Sequence, residues 1–238
     1  MKSLVQFPFL RLGYIGLALL VVTNTEAVTT SPPETVITVH GLGRSPVSMW
    51  ALAWKLRRAG YTVINLRYPS RRFPIEQLSE DYLGKAVAAQ TQAGSPRIHF
   101  VTHSLGGIIV RQYLADHTMT NLGRVVMLAP PNHGSPSADR LKKSAIGRWI
   151  LGPAGCELGT GPTNLPERLG ASRFSLGVIA AARDGKVPVE SAKLDGMTDF
   201  LLVSGFHTWI MCRGETARAV LNFLATGRFN QSRLRHGG

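Results

Sequence analysis

The chain is poor in acid and in cysteine. Its 238 residues hold 14 Asp and Glu against 27 Lys and Arg, a formal charge of +13, and only two cysteines. Two cysteines cannot build the multi-bridge framework on which small secreted domains rely. Cys156 and Cys212 could pair in an oxidising compartment or stay as free thiols, and both readings stand open. No metal-ligand constellation, P-loop or dinucleotide fingerprint occurs, so neither a resident metal nor a nucleotide cofactor is expected. Heptads, internal repeats and low-complexity tracts are missing too, which excludes coiled coils and repeat arrays. The excess positive charge is scattered and accompanies no nucleic-acid-binding motif. The expected polyanion is therefore a membrane or envelope surface touched peripherally, not nucleic acid.

What is present begins with a leader-like N-terminus. Lys2 and Arg11 precede the apolar run LGYIGLALLVV (12–22), followed by TNTEA. Charged, apolar and small-residue regions in that order are expected of a signal peptide spanning residues 1–27, with Ala27 last. The run is shorter than the roughly 20 residues of a membrane span, and an uncleaved anchor is the alternative. Export to the periplasm or beyond follows from the first reading. Without residues 1–27 the charge stays near +12, since Lys2, Arg11 and Glu26 go.

Residues 28–34 (VTTSPPE) read as a linker, and 35–226 as one domain in which strands and helices alternate. Strands are expected at 35–41, 61–68, 97–103, 124–131, 173–181 and 199–206. Helices are expected after Ser45–Pro46, at 75–92, at 104–117 and at 214–225. Residues 132–172 form a short cap or loop insertion, with the Gly- and Pro-rich stretch 153–172 a loop over the site. Within RLKKSAIGRWILG (140–152), Leu141, Ala145 and Trp149 share helical spacing among cations; packing on the sheet is expected, a membrane surface being the alternative. The basic end, 227–238, is expected to be mobile. Alternation of this kind implies a mostly parallel sheet covered on both faces. Ligands of such sheets lie beyond the carboxyl ends of the strands, which is where reactive side chains should be sought.

Three strand ends carry residues suited to acyl transfer. Ser104 follows the third strand, in VTHSLGG; Asp184 follows the fifth; His207 follows the sixth. A serine hydroxyl needs a base to take its proton, imidazole titrates in the right range, and a carboxylate fixes the ring's tautomer. A serine between a strand and a helix, with glycines one step inside that helix, is the pattern of a nucleophile elbow. Gly106 leaves the required space two positions after the serine, and Thr102 stands two before it where a smaller residue is usual. Thr102, His103 and Gly106 form the turn, and His40, Gly41, Leu42 and Gly43 (HGLG) form a glycine-rich loop after the first strand. The backbone amides of Leu42 and Leu105 are the expected oxyanion donors. A plain helix-capping role is the alternative for Ser104. His133 and His236 are alternatives to His207, and Asp195 and Asp199 to Asp184, which could also be a simple Asp-Gly turn.

The segments TVHGLGRSPVSMW, YPSRRFPIEQL, THSLGG, APPNHGSPSAD and DGKVPVESAKLDGMTDFLLVSGFHTWIM together resemble the α/β-hydrolase superfamily, particularly its small bacterial secreted esterase and lipase-like members. The resemblance implies a minimal α/β-hydrolase fold of about six mostly parallel strands, with helices on both faces and a short cap. It implies a Ser, His and acid triad falling on Ser104, His207 and Asp184, hydrolysis of carboxylic esters, and no cofactor. The likeness of APPNHGSPSAD to a loop lining the acyl side of secreted lipases points to lipid-like esters as small-molecule substrates. Two departures go with it: the linker leaves no room for a leading hairpin, and the insertion is too short for a full lid. Acyl transfer to another acceptor, and a non-catalytic module binding anionic envelope surfaces, are the alternative functions.

Overall fold

The structure, a computed structural model, describes residues 32–230. The expected leader (1–27), the first part of the linker and residues 231–238 of the expected tail lie outside them. Among the described residues no helix is long and apolar enough to cross a membrane.

Six strands form one sheet: β1 (Thr35–Val39), β2 (Thr62–Asn65), β3 (Ile98–His103), β4 (Leu122–Leu128), β5 (Leu176–Ala181) and β6 (Asp199–Val203). Every neighbouring pair is parallel, in the order β2-β1-β3-β4-β5-β6. The direction of winding reverses between β1 and β3, so their carboxyl ends open the crevice where such sheets bind ligands. Val39 of β1 pairs with Thr102 of β3, which sets the HGLG loop beside Ser104.

Side chains on alternate strand positions feed two apolar layers. Ile37, Val39, Phe100, Met127 and Val178 pack with Ile75, Leu78, Leu83, Val87 and Ile108 on one face. The helices of that face are α2 (Ile75–Leu78), running through a π turn (Ser79–Gly84) into α3 (Lys85–Gln92), and α4 (Leu105–Asp116). Val36, Val101, Val126 and Ile179 pack with Leu52, Leu56, Val220 and Phe223 on the other. There α1 (Trp50–Arg58) follows a 3-10 turn begun by Pro46, and the C-terminal helix (Gly214–Thr226) ends on Gly227, whose φ of 78° suits glycine. Both faces are covered, as the unbroken burial of β1 and β3 requires.

Three expectations need correction, and one reading left open is decided. Residues 153–172 are not one loop: α6 (Ala145–Cys156) runs into them, and α7 (Leu165–Arg168) lies within them. The stripe at 140–152 does not pack on the sheet. The segment breaks after α5 (Pro136–Lys142), where Ser144 caps α6 by accepting from the Gly147 N–H at 2.9 Å, so helical spacing across the break carries no register. Gly147, Leu151, Ala154 and Gly155 form the buried face of α6, while Ile146 and Trp149 are 73% and 77% exposed. Residues 227–230, the start of the expected tail, pack on the domain. Phe229 is buried beside Phe223, ring centroids 4.9 Å apart, and its N–H donates to Asp199 Oδ2 at 2.7 Å. Finally, Cys156 and Cys212 are both free thiols. Cys156 packs against the first apolar layer, whereas Cys212 belongs to a 3-10 turn (Ile210–Cys212) whose Ile210 and Met211 pack into the second, so the sheet lies between them.

Two expected outcomes follow from the packing. A Cβ on Gly177 of β5 would stand 2.7 Å from the rings of Phe223 and Phe229. Gly177→Ala should therefore destabilise the domain by about 1–3 kcal/mol through overpacking, read as a lower urea midpoint; an unchanged midpoint would refute this packing. Burial also holds three imidazoles, His40, His99 and His103, below the ordinary pKa of 6.5. At His99, Glu34 opposes that effect without reversing it. Groups with a folded pKa below the unfolded value stabilise above the unfolded value and lose that stability as pH falls. The unfolding free energy should drop between pH 7.5 and pH 5.5, by up to about 1.4 kcal/mol per pH unit for each histidine that stays neutral when folded, read as a lower urea midpoint. An equal or higher midpoint at pH 5.5 would contradict the assignment.

Candidate active site

The turn from β3 into α4 is unusual in its backbone. Ser104 has φ 52° and ψ −121°, one of only two non-glycine residues with positive φ among those described. Such a conformation costs on the order of 1–3 kcal/mol and persists only where the surroundings enforce it. Here the Ser104 N–H donates to Leu128 O of β4 at 2.9 Å, and its carbonyl accepts from the Gly107 N–H at 2.9 Å. Gly106 then passes so close to β1 that a Cβ would sit 2.5 Å from Val39 O and 2.9 Å from His40 O. No other residue fits there. Thr102 is tolerated two positions before the serine because Gly107 lacks a Cβ, which would lie 3.3 Å from the threonine Oγ1. The Ser104 hydroxyl makes no capping bond to α4, which removes the capping alternative.

His207 and Asp184 meet beyond the ends of β6 and β5. The His207 Nδ1–H donates to Asp184 Oδ2 at 2.6 Å, with both side chains almost wholly buried. A carboxylate can only accept, so this bond puts the ring proton on Nδ1 and leaves the Nε2 lone pair free in the neutral ring. The other oxygen, Asp184 Oδ1, accepts from the N–H groups of Lys186 (2.9 Å) and Val187 (2.8 Å). The Asp-Gly turn and the carboxylate pair are thus one device: the turn's own amides aim the carboxylate. Ser135, which caps α5, donates from its hydroxyl to Lys186 O at 2.8 Å and fixes this turn to the cap.

Ser104 and His207 line the same cavity of about 380 Å³. Among the described residues the serine hydroxyl has no hydrogen-bond partner, and the two side chains are not joined at 3.5 Å or less. Catalytic contacts of this type commonly tighten only when a substrate is bound. The cavity's apolar wall is Ala138 and Leu141 of α5, Ile150 and Leu151 of α6, and Leu158. Gly41 lies against the serine turn, where a Cβ would meet His103 Nδ1 at 2.8 Å and Ser104 Cβ at 3.1 Å. The N–H groups of Leu42 and Leu105 have no partner among the described residues, the latter because it opens α4. Gly43, by contrast, donates its N–H to Ser70 Oγ at 3.0 Å.

The alternatives lie elsewhere. His133 pairs with Glu167 at 2.8 Å on the cap, and Asp199, at the opposite end of its strand, binds the N–H groups of Phe200 and Phe229. Asp195 offers its carbonyl to the Ser172 N–H, and His236 falls outside the described residues.

His103, expected in the turn, has a further role, and two other contributors, Tyr68 and Arg111, were not expected. His103 donates from Nε2–H to the His207 backbone oxygen at 3.0 Å, and burial keeps its ring neutral, with His207 opposing its charge further. It ties the serine turn to the loop that carries the second imidazole. Tyr68 stacks on His40 at 4.1 Å and donates its hydroxyl to the His40 carbonyl, bracing the HGLG loop. Arg111 is buried in α4, with its pKa lowered to about 10 by desolvation. Its guanidinium donates to Asn132 O and Oδ1 (both 3.1 Å), Pro166 O (2.9 Å) and Gly170 O (2.7 Å). The signal for Arg111 was a lone charge inside an otherwise apolar helix, IIVRQYL; the contact of Tyr68 with His40 left none that spacing could carry. No group of three or more metal-ligating side chains is present among the described residues.

A serine at a strained strand-to-helix turn, beside an imidazole bound to a carboxylate, is equipped for nucleophilic attack on an acyl group. Comparison with known proteins agrees in fold. A lipase of Bacillus licheniformis in its mature form superposes with a TM-score of 0.62 at 19% identity, over 83% of this chain and 93% of its own. The monoacylglycerol lipase of Paleococcus ferrophilus gives 0.58 at 20%, over 82% and 96%. A carboxylesterase of the thaumarchaeon Nitrososphaera gargenis gives 0.63 at 17%, over 82% and 91%. Curated protein sequences contain no match. The model of the α/β hydrolase family matches residues 36–226, nearly the whole described domain. The chain belongs to the α/β-hydrolase family.

Proposed function

We propose that this protein is an exported serine hydrolase that cleaves carboxylic esters of lipid-like substrates through an acyl-enzyme. The observation carrying the reading is the pairing of His207 Nδ1–H with Asp184, beside a cavity that His207 shares with an unpartnered Ser104 hydroxyl. Ser104 Oγ attacks the ester carbonyl carbon while His207 Nε2 takes the hydroxyl proton. The N–H groups of Leu42 and Leu105 hold the tetrahedral oxyanion, and Asp184 stabilises the imidazolium. Collapse of that intermediate breaks the ester C–O bond, the alcohol leaving with the proton from His207. Water then attacks the acyl-enzyme by the same route in reverse, returning the hydroxyl to Ser104.

Apolar lining from α5 and α6 supports an acyl chain as the group held beside the serine. Exposed Ile146 and Trp149 on the outer side of α6, next to Arg148, support peripheral contact with an anionic membrane or envelope surface. Export rests on the leader pattern at 1–27. No cofactor takes part in these steps.

Ser104→Ala should lower kcat for a short-chain p-nitrophenyl ester by at least about a thousand-fold, with an unchanged far-ultraviolet circular dichroism spectrum. The wild-type protein should be labelled by a fluorophosphonate probe and the variant should not. Comparable turnover in the variant, or a folded wild-type protein that takes no label, would overturn the reading.

A further inference from the structure

A second pocket, of about 350 Å³, adjoins the candidate active site and is cationic. Arg44, Arg71 and Arg72 line it, with Ser70, Tyr68 and Trp149 completing its walls. Gly43, Arg44 and Arg71 line both pockets, so the two are contiguous. Neither lining contains an Asp or Glu, and the catalytic cavity adds Lys186.

The three guanidinium groups make no ion pair and no side-chain hydrogen bond among the described residues. Five cations elsewhere do have an acidic partner: Lys85 with Asp81, Arg97 with Glu34, Lys142 with Asp139, Lys193 with Glu190 and Arg213 with Glu215. In a chain this short of acid, three unpaired like charges around one hollow repel one another, and an anion placed between them relieves that repulsion.

The side chains also spring from fixed backbone. The Arg44 N–H donates to Gly41 O (3.2 Å) and the Arg72 N–H to Pro69 O (2.9 Å). The Arg71 carbonyl fills the notch left by Gly152, where α6 is kinked and a Cβ would approach to 2.1 Å. Ser70 is buried and accepts from the Gly43 N–H at 3.0 Å, which leaves its own O–H free to donate.

We propose that Arg44, Arg71 and Arg72 form a head-group subsite for the phosphate of an acyl glycerophosphate lipid. The inference rests on the ester-hydrolase reading and names its substrate class. With the acyl chain against α5 and α6 and the ester carbonyl at Ser104, the polar end of the substrate reaches the arginines. Phosphate is the anion that suits them: its oxygens accept several N–H bonds at once, and guanidinium forks bind it bidentately. A diacylglycerol offers this pocket only an uncharged hydroxyl.

The test compares dihexanoyl phosphatidic acid with dihexanoylglycerol, both below their aggregation limits, in the wild-type protein and in a variant with Arg71→Gln and Arg72→Gln. The wild-type kcat/KM should favour the phosphatidate by about ten-fold or more, and the variant should lose about ten-fold of that ratio. A wild-type ratio near one, or a ratio unchanged in the variant, would overturn the subsite; because each ratio is internal to one protein, partial misfolding cancels. Calorimetry on Ser104→Ala supplies a second arm. Phosphatidate should bind at least about ten-fold more tightly than inorganic phosphate, and equal affinity would mark a free-anion pocket and refute a lipid head-group site. Arginine-dependent phosphatidate binding without hydrolysis of any ester would sustain the subsite and sink the hydrolase. Hydrolysis indifferent to the arginines would do the reverse.

Discussion

The fit of Gly106 beneath the carbonyl oxygens of Val39 and His40 is the constraint on which the site depends. Because that residue has no Cβ, α4 starts immediately beyond β3 and leans on the end of β1. The serine between strand and helix is thereby driven to a positive φ, and its backbone is clamped by Leu128 on one side and Gly107 on the other. Strain of this kind is held by the sheet's own order. β1, β3 and β4 are adjacent, and each supplies one contact to the turn. The same closeness brings the HGLG loop alongside, with Gly41 against His103 and Ser104.

The His207 loop depends on the turn in a less direct way. Its imidazole is oriented at Nδ1 by Asp184, and its backbone is held by His103, the residue next to the serine in sequence. A buried, neutral His103 can donate from one nitrogen only, and that donor is spent on the His207 carbonyl. The serine and the imidazole are therefore coupled through a backbone oxygen as well as through the cavity they share. A charged group at position 103 would carry a desolvation penalty and add a like charge beside any imidazolium formed at 207.

Much of this was legible in the sequence, and the reason is local. β-branched runs such as TVITV and RIHFV, glycine pairs and the order of the strands are properties of short windows, which fixed the parallel sheet and the rim on which Ser104, Asp184 and His207 stand. What stayed hidden depends on partners distant in the chain. Nothing within IIVRQYL says that Arg111 reaches Pro166 and Gly170, and nothing beside Cys156 says that the sheet separates it from Cys212. The stripe at 140–152 misled for a physical reason. Periodicity assumes one continuous helix, and Ser144, a good capping residue, starts a new one in its midst.

The cap shows why so short an insertion can still shape a site. It carries little sheet contact of its own, yet glycines let it sit close to the loops beside the site. Gly152 receives the Arg71 carbonyl and Gly155 seats the Leu42 side chain, while within the cap Gly134 lies against Gly159. Arg111 adds four hydrogen bonds from α4 to residues 132, 166 and 170, a fork that a lysine's single ammonium could not reproduce. The helix that begins at Ser104 thus also anchors the far side of the cavity roof. Because α5 and α6 bring the apolar wall while the Arg71 turn under Gly152 brings cations, one kinked helix separates the two chemistries. Moving that kink would displace both at once, because Trp149 lines the cationic pocket while Ile150 and Leu151 line the apolar one.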